Sequence, residues 1–192
     1  DTNSRLCMAS AVVGYKRAFG GDAVPCNYQD LELADCVVLV GSNTAWAHPV
    51  VYQRLAKAKA ERPDMRIVVI DPRKTATCDI ADLHLALRPG SDAALFCGAL
   101  YAIAAAGKLD TDFLQQHTQG ARETLQSVQA WTPETTADYC GLPLEQLQAF
   151  YQLLARSQRL VTLYSMGVNQ SSSGVDKCNA IINLHLATGQ IG

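Results

Sequence analysis

Four short segments of the chain concentrate side chains able to hold a polar, charged ligand. Gly41-Ser42-Asn43 supplies backbone N–H groups, a hydroxyl and an amide. Asp71-Pro72-Arg73-Lys74-Thr75 supplies a carboxylate, two cations and a hydroxyl, and Arg88-Pro89-Gly90-Ser91-Asp92 repeats that combination. Met166-Gly167-Val168-Asn169-Gln170 adds amides. Guanidinium forks suit phosphate bidentately, and helix N-termini favour anions. The chemistry indicated is binding of a phosphate-containing, nucleotide-like ligand. The competing reading is that Gly, Asn, Asp and Pro simply make turns. Four such loops on one edge favour the ligand.

Cysteine and histidine are the other candidates. There are seven cysteines, none in a CxxC pair, so a zinc site or a thioredoxin-type motif has little support. The pattern fits a reducing compartment rather than a disulfide framework. Cys36 and Cys97 lie in apolar runs and read as buried small hydrophobes. Cys7 lies just ahead of a helical pattern, and by spacing alone a lone Cys is structural. The histidines His48, His84, His117 and His185 have no ligand spacing. His84 and His185 sit in apolar runs and read as core residues, while His48, before Pro49, can face the ligand edge. Neither Ser10 nor Ser165 has the GxSxG setting of a hydrolase. An NAD(P) dehydrogenase is disfavoured: Gly41-Ser42-Asn43-Thr44-Ala45-Trp46 lacks GxGxxG, and Asp71 lies thirty residues beyond Gly41, against the ~20 expected of the ribose-binding acid.

These loops need elements to position them. Cys36–Val40, Arg66–Ile70, Leu83–Leu87 and Leu160–Tyr164 read as strands, and Cys36–Val40, a continuous apolar run rich in β-branched residues, suits a strand covered on both faces. Helical patterns run over Met8–Phe19, stopped by Gly20-Gly21, over about Pro49–Glu61, and over Ala93–Ala106 with Ser91 as N-cap. Asp110–Ser157 is helical with starts at Thr132-Pro133-Glu134 and Leu142-Pro143-Leu144-Glu145, and a last helix spans about Gly174–Ala187. The alternation predicts an α/β fold, three layers around a mostly parallel sheet of dinucleotide-binding type. Ligands of such sheets bind outside the carboxyl ends of the strands, where all four loops fall.

The remaining classes are limited by composition. The 192 residues carry a net charge of −2, which gives no electrostatic basis for nucleic-acid or acidic-membrane binding. The uncharged, largely apolar stretch Ala93–Gly107 is shorter than the ~20 residues of a membrane span. Charged residues are 18% of the chain, below the ~25% average. The chain starts at Asp1 and ends in a loop-like Gly189-Gln190-Ile191-Gly192, and reads as one domain of something larger.

The motifs together resemble a known family. Arg5-Leu6-Cys7-Met8-Ala9-Ser10-Ala11-Val12, Gly41-Ser42-Asn43 through His48-Pro49, Asp71-Pro72-Arg73, Ile80-Ala81-Asp82-Leu83-His84, Arg88-Pro89-Gly90-Ser91-Asp92 and Gly167-Val168-Asn169-Gln170 occur in the order seen in catalytic subunits of molybdopterin oxidoreductases of the DMSO-reductase superfamily. The chain is most similar to the bacterial assimilatory nitrate reductase branch. The resemblance implies a molybdenum held between two molybdopterin guanine dinucleotides, with residues 1–192 as the domain that binds one of them. It places Cys7 at the metal-ligand position, a soft thiolate suited to such a centre, with Met8 beside it at the reacting site. Met8 stands where formate dehydrogenases of the superfamily carry His, and Cys7 speaks against branches that ligate through Asp or Ser.

The same resemblance assigns Gly41, Ser42, Asn43 and His48, then Ile70, Asp71, Pro72, Arg73 and Thr75, then Arg88, Gly90, Ser91 and Asp92 to the dinucleotide. Met166, Gly167 and Gln170 fall on the pterin side. It further implies an iron–sulfur cluster outside this chain, sister domains, an electron-donor protein, nitrate as substrate, no nucleic acid or membrane, and a cytoplasmic enzyme, with a periplasmic one not separated. Alternatives are a formate dehydrogenase or other oxidoreductase on the same cofactor, and a non-catalytic nucleotide-binding domain. By this reading the chain alone does not reduce nitrate.

Overall fold

A computed structural model describes residues 3–191. The elements in order are α1 (Asn3–Phe19), α2 (Tyr28–Leu33), β1 (Cys36–Val40), α3 (Thr44–Ala47), α4 (Pro49–Glu61), β2 (Arg66–Ile70), a 3-10 turn at Ala76–Ile80, β3 (Leu83–Leu85), α5 (Asp92–Ala105), α6 (Thr111–His117), α7 (Ala121–Ser127), α8 (Pro133–Cys140), α9 (Leu144–Arg156), β4 (Leu160–Tyr164), α10 (Met166–Asn169) and α11 (Gly174–Ala187). The four strands form one all-parallel sheet in the order β3-β2-β1-β4.

The apolar runs explain the layers. Every residue of β1 is buried, because a central parallel strand is covered on both faces. Its alternate side chains divide between two cores. Val38 and Val40 pack with Val68, Ile70 and Leu85 against α5, α9 and α11. Val37 and Leu39 pack with Ile67 and Val69 against Leu55 and Ala58 of α4. Helix α5, apolar nearly all round, is sandwiched by α11, α8 and α9, as a helix without a polar face must be. Gly98 allows that approach, since a Cβ there would lie 2.4 Å from both Thr136 Oγ1 and Tyr151 Oη.

Some expectations are corrected. The third strand ends at Leu85, not Leu87, because it pairs only with β2 and the chain then turns to bond Cys140 O through Arg88 N. Ser91 occupies the N-cap position of α5 but makes no side-chain cap bond; its Oγ donates to Arg88 O at 2.6 Å instead. The region 110–157 is helical but broken into four helices. Cys36 is buried as expected, whereas Cys97 is half-buried. Among the described residues no helix is long and apolar enough to cross a membrane.

Candidate functional site

The strand order reverses between β1 and β4, which makes that junction the topological switch point of the sheet. Two glycines close it. Gly41 leaves β1 with φ +53°, a conformation that favours glycine. Its N–H donates to Ile70 O at 2.9 Å, and its carbonyl accepts from Gly167 N at 3.0 Å. A Cβ on Gly41 would fall 2.8 Å from Gly167 Cα. The two backbones therefore meet with no side chain between them, leaving bare peptide at the crevice where ligands of such sheets bind.

Cys7 of α1 reaches this point. Gln170 Nε2 lies 3.2 Å from its sulfur. Asn169 Nδ2 donates to Cys7 O at 2.9 Å and lies 3.9 Å from Met8 Sδ. Asn169 is 2% exposed, and its Oδ1 has no partner. The junction thus joins a half-buried thiol, an amide donor to its sulfur and an orphaned acceptor, and an unmet buried acceptor costs about 1–3 kcal/mol. Burial pushes the Cys36 thiol up to about 11, and also raises Cys26, Cys97, Cys140 and Cys178. Those are poor nucleophiles and poor ligands.

The β1 and β2 loops are tied together. Thr77 Oγ1 donates to Asn43 Oδ1 at 3.2 Å and accepts from Ala45 N at 3.1 Å. Ser42 and Thr44 share a buried hydroxyl pair at 2.9 Å. Asp71 Oδ1 accepts from Arg73 N at 2.8 Å, a short turn that fixes the loop. His84 Nε2 donates to Asp71 O at 2.9 Å, which gives that histidine a structural role. Thr75 Oγ1 caps the 3-10 turn at Thr77 N. Pro72, Arg73 and His48 remain exposed around this edge.

The Arg88–Asp92 loop is arranged differently. Arg88 Nη1 donates to Tyr139 O at 2.8 Å, so its fork is directed to the end of α8. Asp92 faces Lys177 Nζ at 2.8 Å, with side chains 9% and 3% exposed. Gly90, at φ +93° with open space around it, is the exposed tip. Met166 and Gly167 are exposed, and Met166 begins α10.

The structure therefore gathers Cys7, Met8, Gly41, Gly167 and Gln170 at the switch point, ranges Ser42, Asn43, Asp71 and Thr75 beside it, and ties Arg88 and Asp92 into the scaffold. Sequence reasoning treated Asn169 only as one amide among several and passed over Thr77 and Lys177. Lys177 had a signal, a lone cation in an apolar stretch of helix. Thr77 had none.

The site is a half-buried thiol at the switch point of a doubly wound parallel sheet, where ligands of such sheets bind. The comparisons specify it: the Molybdopterin oxidoreductase family model matches residues 1–192, and the chain belongs to that family. It is 61% identical to the nitrate reductase of Klebsiella oxytoca over 192 residues, covering 100% of this chain and 22% of that protein. It is 33% identical to the F420-dependent formate dehydrogenase subunit alpha of Methanocaldococcus jannaschii, covering 100% of this chain and 28% of that protein. Acetylene hydratase from Pelobacter acetylenicus shares the fold, with TM-score 0.84 at 21% identity over 98% of this chain and 25% of its own. The chain thus spans about a quarter of the length of the proteins it matches.

Proposed function

We propose that this chain is the part of a nitrate reductase catalytic subunit that holds one half of a Mo-bis(molybdopterin guanine dinucleotide) cofactor and supplies Cys7 as the protein ligand to molybdenum. The observation that carries the reading is the half-buried Cys7 thiol at the switch point, faced by Gln170 Nε2 and steadied by Asn169. The donor set fits the group. Cys7 is the residue that would hold the metal, through its thiolate. Bare backbone at Gly41 and Gly167, and the orphaned Asn169 Oδ1, fit a large flat ligand with N–H donors.

The group, held by Cys7, would supply two-electron oxygen-atom-transfer chemistry, the conversion of nitrate to nitrite. This chain's residues position it. Gln170 Nε2 donates toward the Cys7 sulfur and disperses thiolate charge, and Asn169 fixes the backbone that carries the sulfur. Met8 places an uncharged, polarisable side chain beside the ligand. Arg73, exposed at the edge, supplies a cation for the nucleoside end of the dinucleotide, and Asn43 and its neighbours line the pyrophosphate region. An iron–sulfur cluster, the second dinucleotide domain and an electron donor belong to the rest of a cytoplasmic enzyme.

The full-length protein tests this through Cys7→Ala. Expected is loss of viologen-linked nitrate reduction to background, with a changed molybdenum spectrum in whatever metal is retained. Undiminished activity overturns the role of Cys7. The second reading, a formate dehydrogenase, is favoured by the 33% relative and opposed by Met8. A substrate panel on the same protein separates the two.

A further inference from the structure

Outside the site, a groove of about 340 Å3 runs along the free edge of β4, lined by Tyr15, Phe19, Val161, Tyr164, Ile181 and Ile182. The edge is chemically unfinished. Arg159 O accepts from Cys36 N, and Ser165 N donates to Val40 O. Ladder bonds alternate along a strand, so Val161 and Leu163 also face β1. Leu160, Thr162 and Tyr164 then direct their N–H and C=O groups away from the sheet. The first of these N–H groups is met by Gln190 Oε1, a side chain standing in for a strand. Among the described residues nothing pairs the backbone of Thr162 and Tyr164, and an apolar groove lies beside them.

Topology says what belongs there. Helix α4 carries the chain from β1 to β2 over one face of the sheet. Helix α11 lies on the opposite face with α5. Crossovers between parallel strands are right-handed in about 98% of cases. A crossover on the opposite face therefore moves in the opposite direction, away from β2 and past β4. Helix α11 also returns the backbone to the start of β4, where Gln190 bonds both Leu160 N and Ser157 O. About three quarters of the length of the matched proteins lies outside this chain.

We infer that a fifth parallel strand, from the segment that follows α11 in the longer protein, seats on β4, pairs the backbone of Thr162 and Tyr164 and fills the groove. The sheet order becomes β3-β2-β1-β4 followed by that strand. The inference does not depend on the metal assignment, since it rests on hydrogen-bond parity and crossover hand alone.

The test uses the full-length subunit. In hydrogen exchange, the Thr162 and Tyr164 amides are expected to exchange at least about 100-fold more slowly than those of the exposed, unbonded Ala23 and Val24. Thr162→Pro removes an outward N–H together with the Thr162 Oγ1 bond to His185, so it is compared with Thr162→Val, which loses only that bond. It lowers the melting temperature of the full-length protein several degrees below Thr162→Val if a strand pairs there, whereas on a free edge proline is tolerated. Leu163→Pro, which breaks the β1 ladder in either case, sets the scale. Exchange as fast as Ala23 and Val24, or a Thr162→Pro protein that melts with Thr162→Val, overturns the inference. Protection that disappears on dilution from dimer to monomer also overturns it, since the occupant is then a second copy.

Discussion

Lys177 and Asp92 form the one ion pair among the described residues in which both side chains are less than 10% exposed. Desolvating two charges is costly, and the pair offsets this only while both partners remain. Lys177→Met leaves Asp92 charged and unpartnered at the start of α5, and is expected to cost about 3–5 kcal/mol of folding stability. Lys177→Met combined with Asp92→Leu should recover most of the loss, because the pair goes together. Denaturant titration of Lys177→Met, Asp92→Leu and the double variant checks this; an additive double variant would show that the two residues do not act as a pair. The same contact limits what could be read beforehand. Asp92 and Arg88 are ligand-like by residue type and by their loop, yet their partners, Lys177 and Tyr139 O, lie 85 and 51 residues away. Such distant pairings leave no local pattern. Cys7 was the converse case, ordinary by spacing and marked only by the family likeness.

Asp82 shows the same economy among elements. Its carboxylate accepts from Lys59 Nζ of α4, from Arg66 Nη1 at 3.1 Å and from Ile67 N at 2.8 Å, both at the start of β2. Its own N–H donates to Ile67 O at 2.8 Å. One side chain thus ties the entry to β3 to the start of β2 and the end of α4. Asp82→Ala is expected to cost about 2 kcal/mol, the scale of a charged hydrogen bond lost from a half-buried site, without affecting cofactor contacts. A variant as stable as the parent by thermal melting would rule out that role. At this scale the sequence was most legible. The spans of β1, β2, β4, α4 and α11 were all read correctly, because continuous apolar runs and proline or glycine boundaries are local signals. The short elements were not: α2, α3, α10 and the 3-10 turn are four to six residues long and owe their form to loop closure, as when Asn27 and Asp30 cap α2 reciprocally. The length of β3 depends on its partner, which no run of residues encodes.

In the molecule as a whole, the low charge fraction, 18%, and the exposure of large apolar groups such as Trp46, 78% exposed beside His48, belong together. They describe a surface suited to being covered, as expected of a chain that spans about a quarter of the proteins it matches. The His185 imidazole links this surface to pH. Gln190 O can only accept, so Nδ1 carries the proton, and Nε2 accepts from Thr162 Oγ1 at 2.8 Å. Burial pushes the imidazole from its usual 6.5 down to about 4, so the folded protein holds it neutral. Below pH 6.5 the unfolded chain takes up a proton that the folded chain refuses. Stability contributed by neutral His185 is therefore complete above pH 6.5 and declines as the pH falls towards 4, by at most about 3 kcal/mol. Other titrating groups add to the same curve, so the comparison is with His185→Gln, which keeps polar reach but cannot be protonated. Between pH 7 and pH 4.5 the parent should lose more stability than the variant, by about 2 kcal/mol or more. Parallel curves would mean that the imidazole is already hydrated in the folded protein, and that β4 and α11 part at this point more easily than their packing implies.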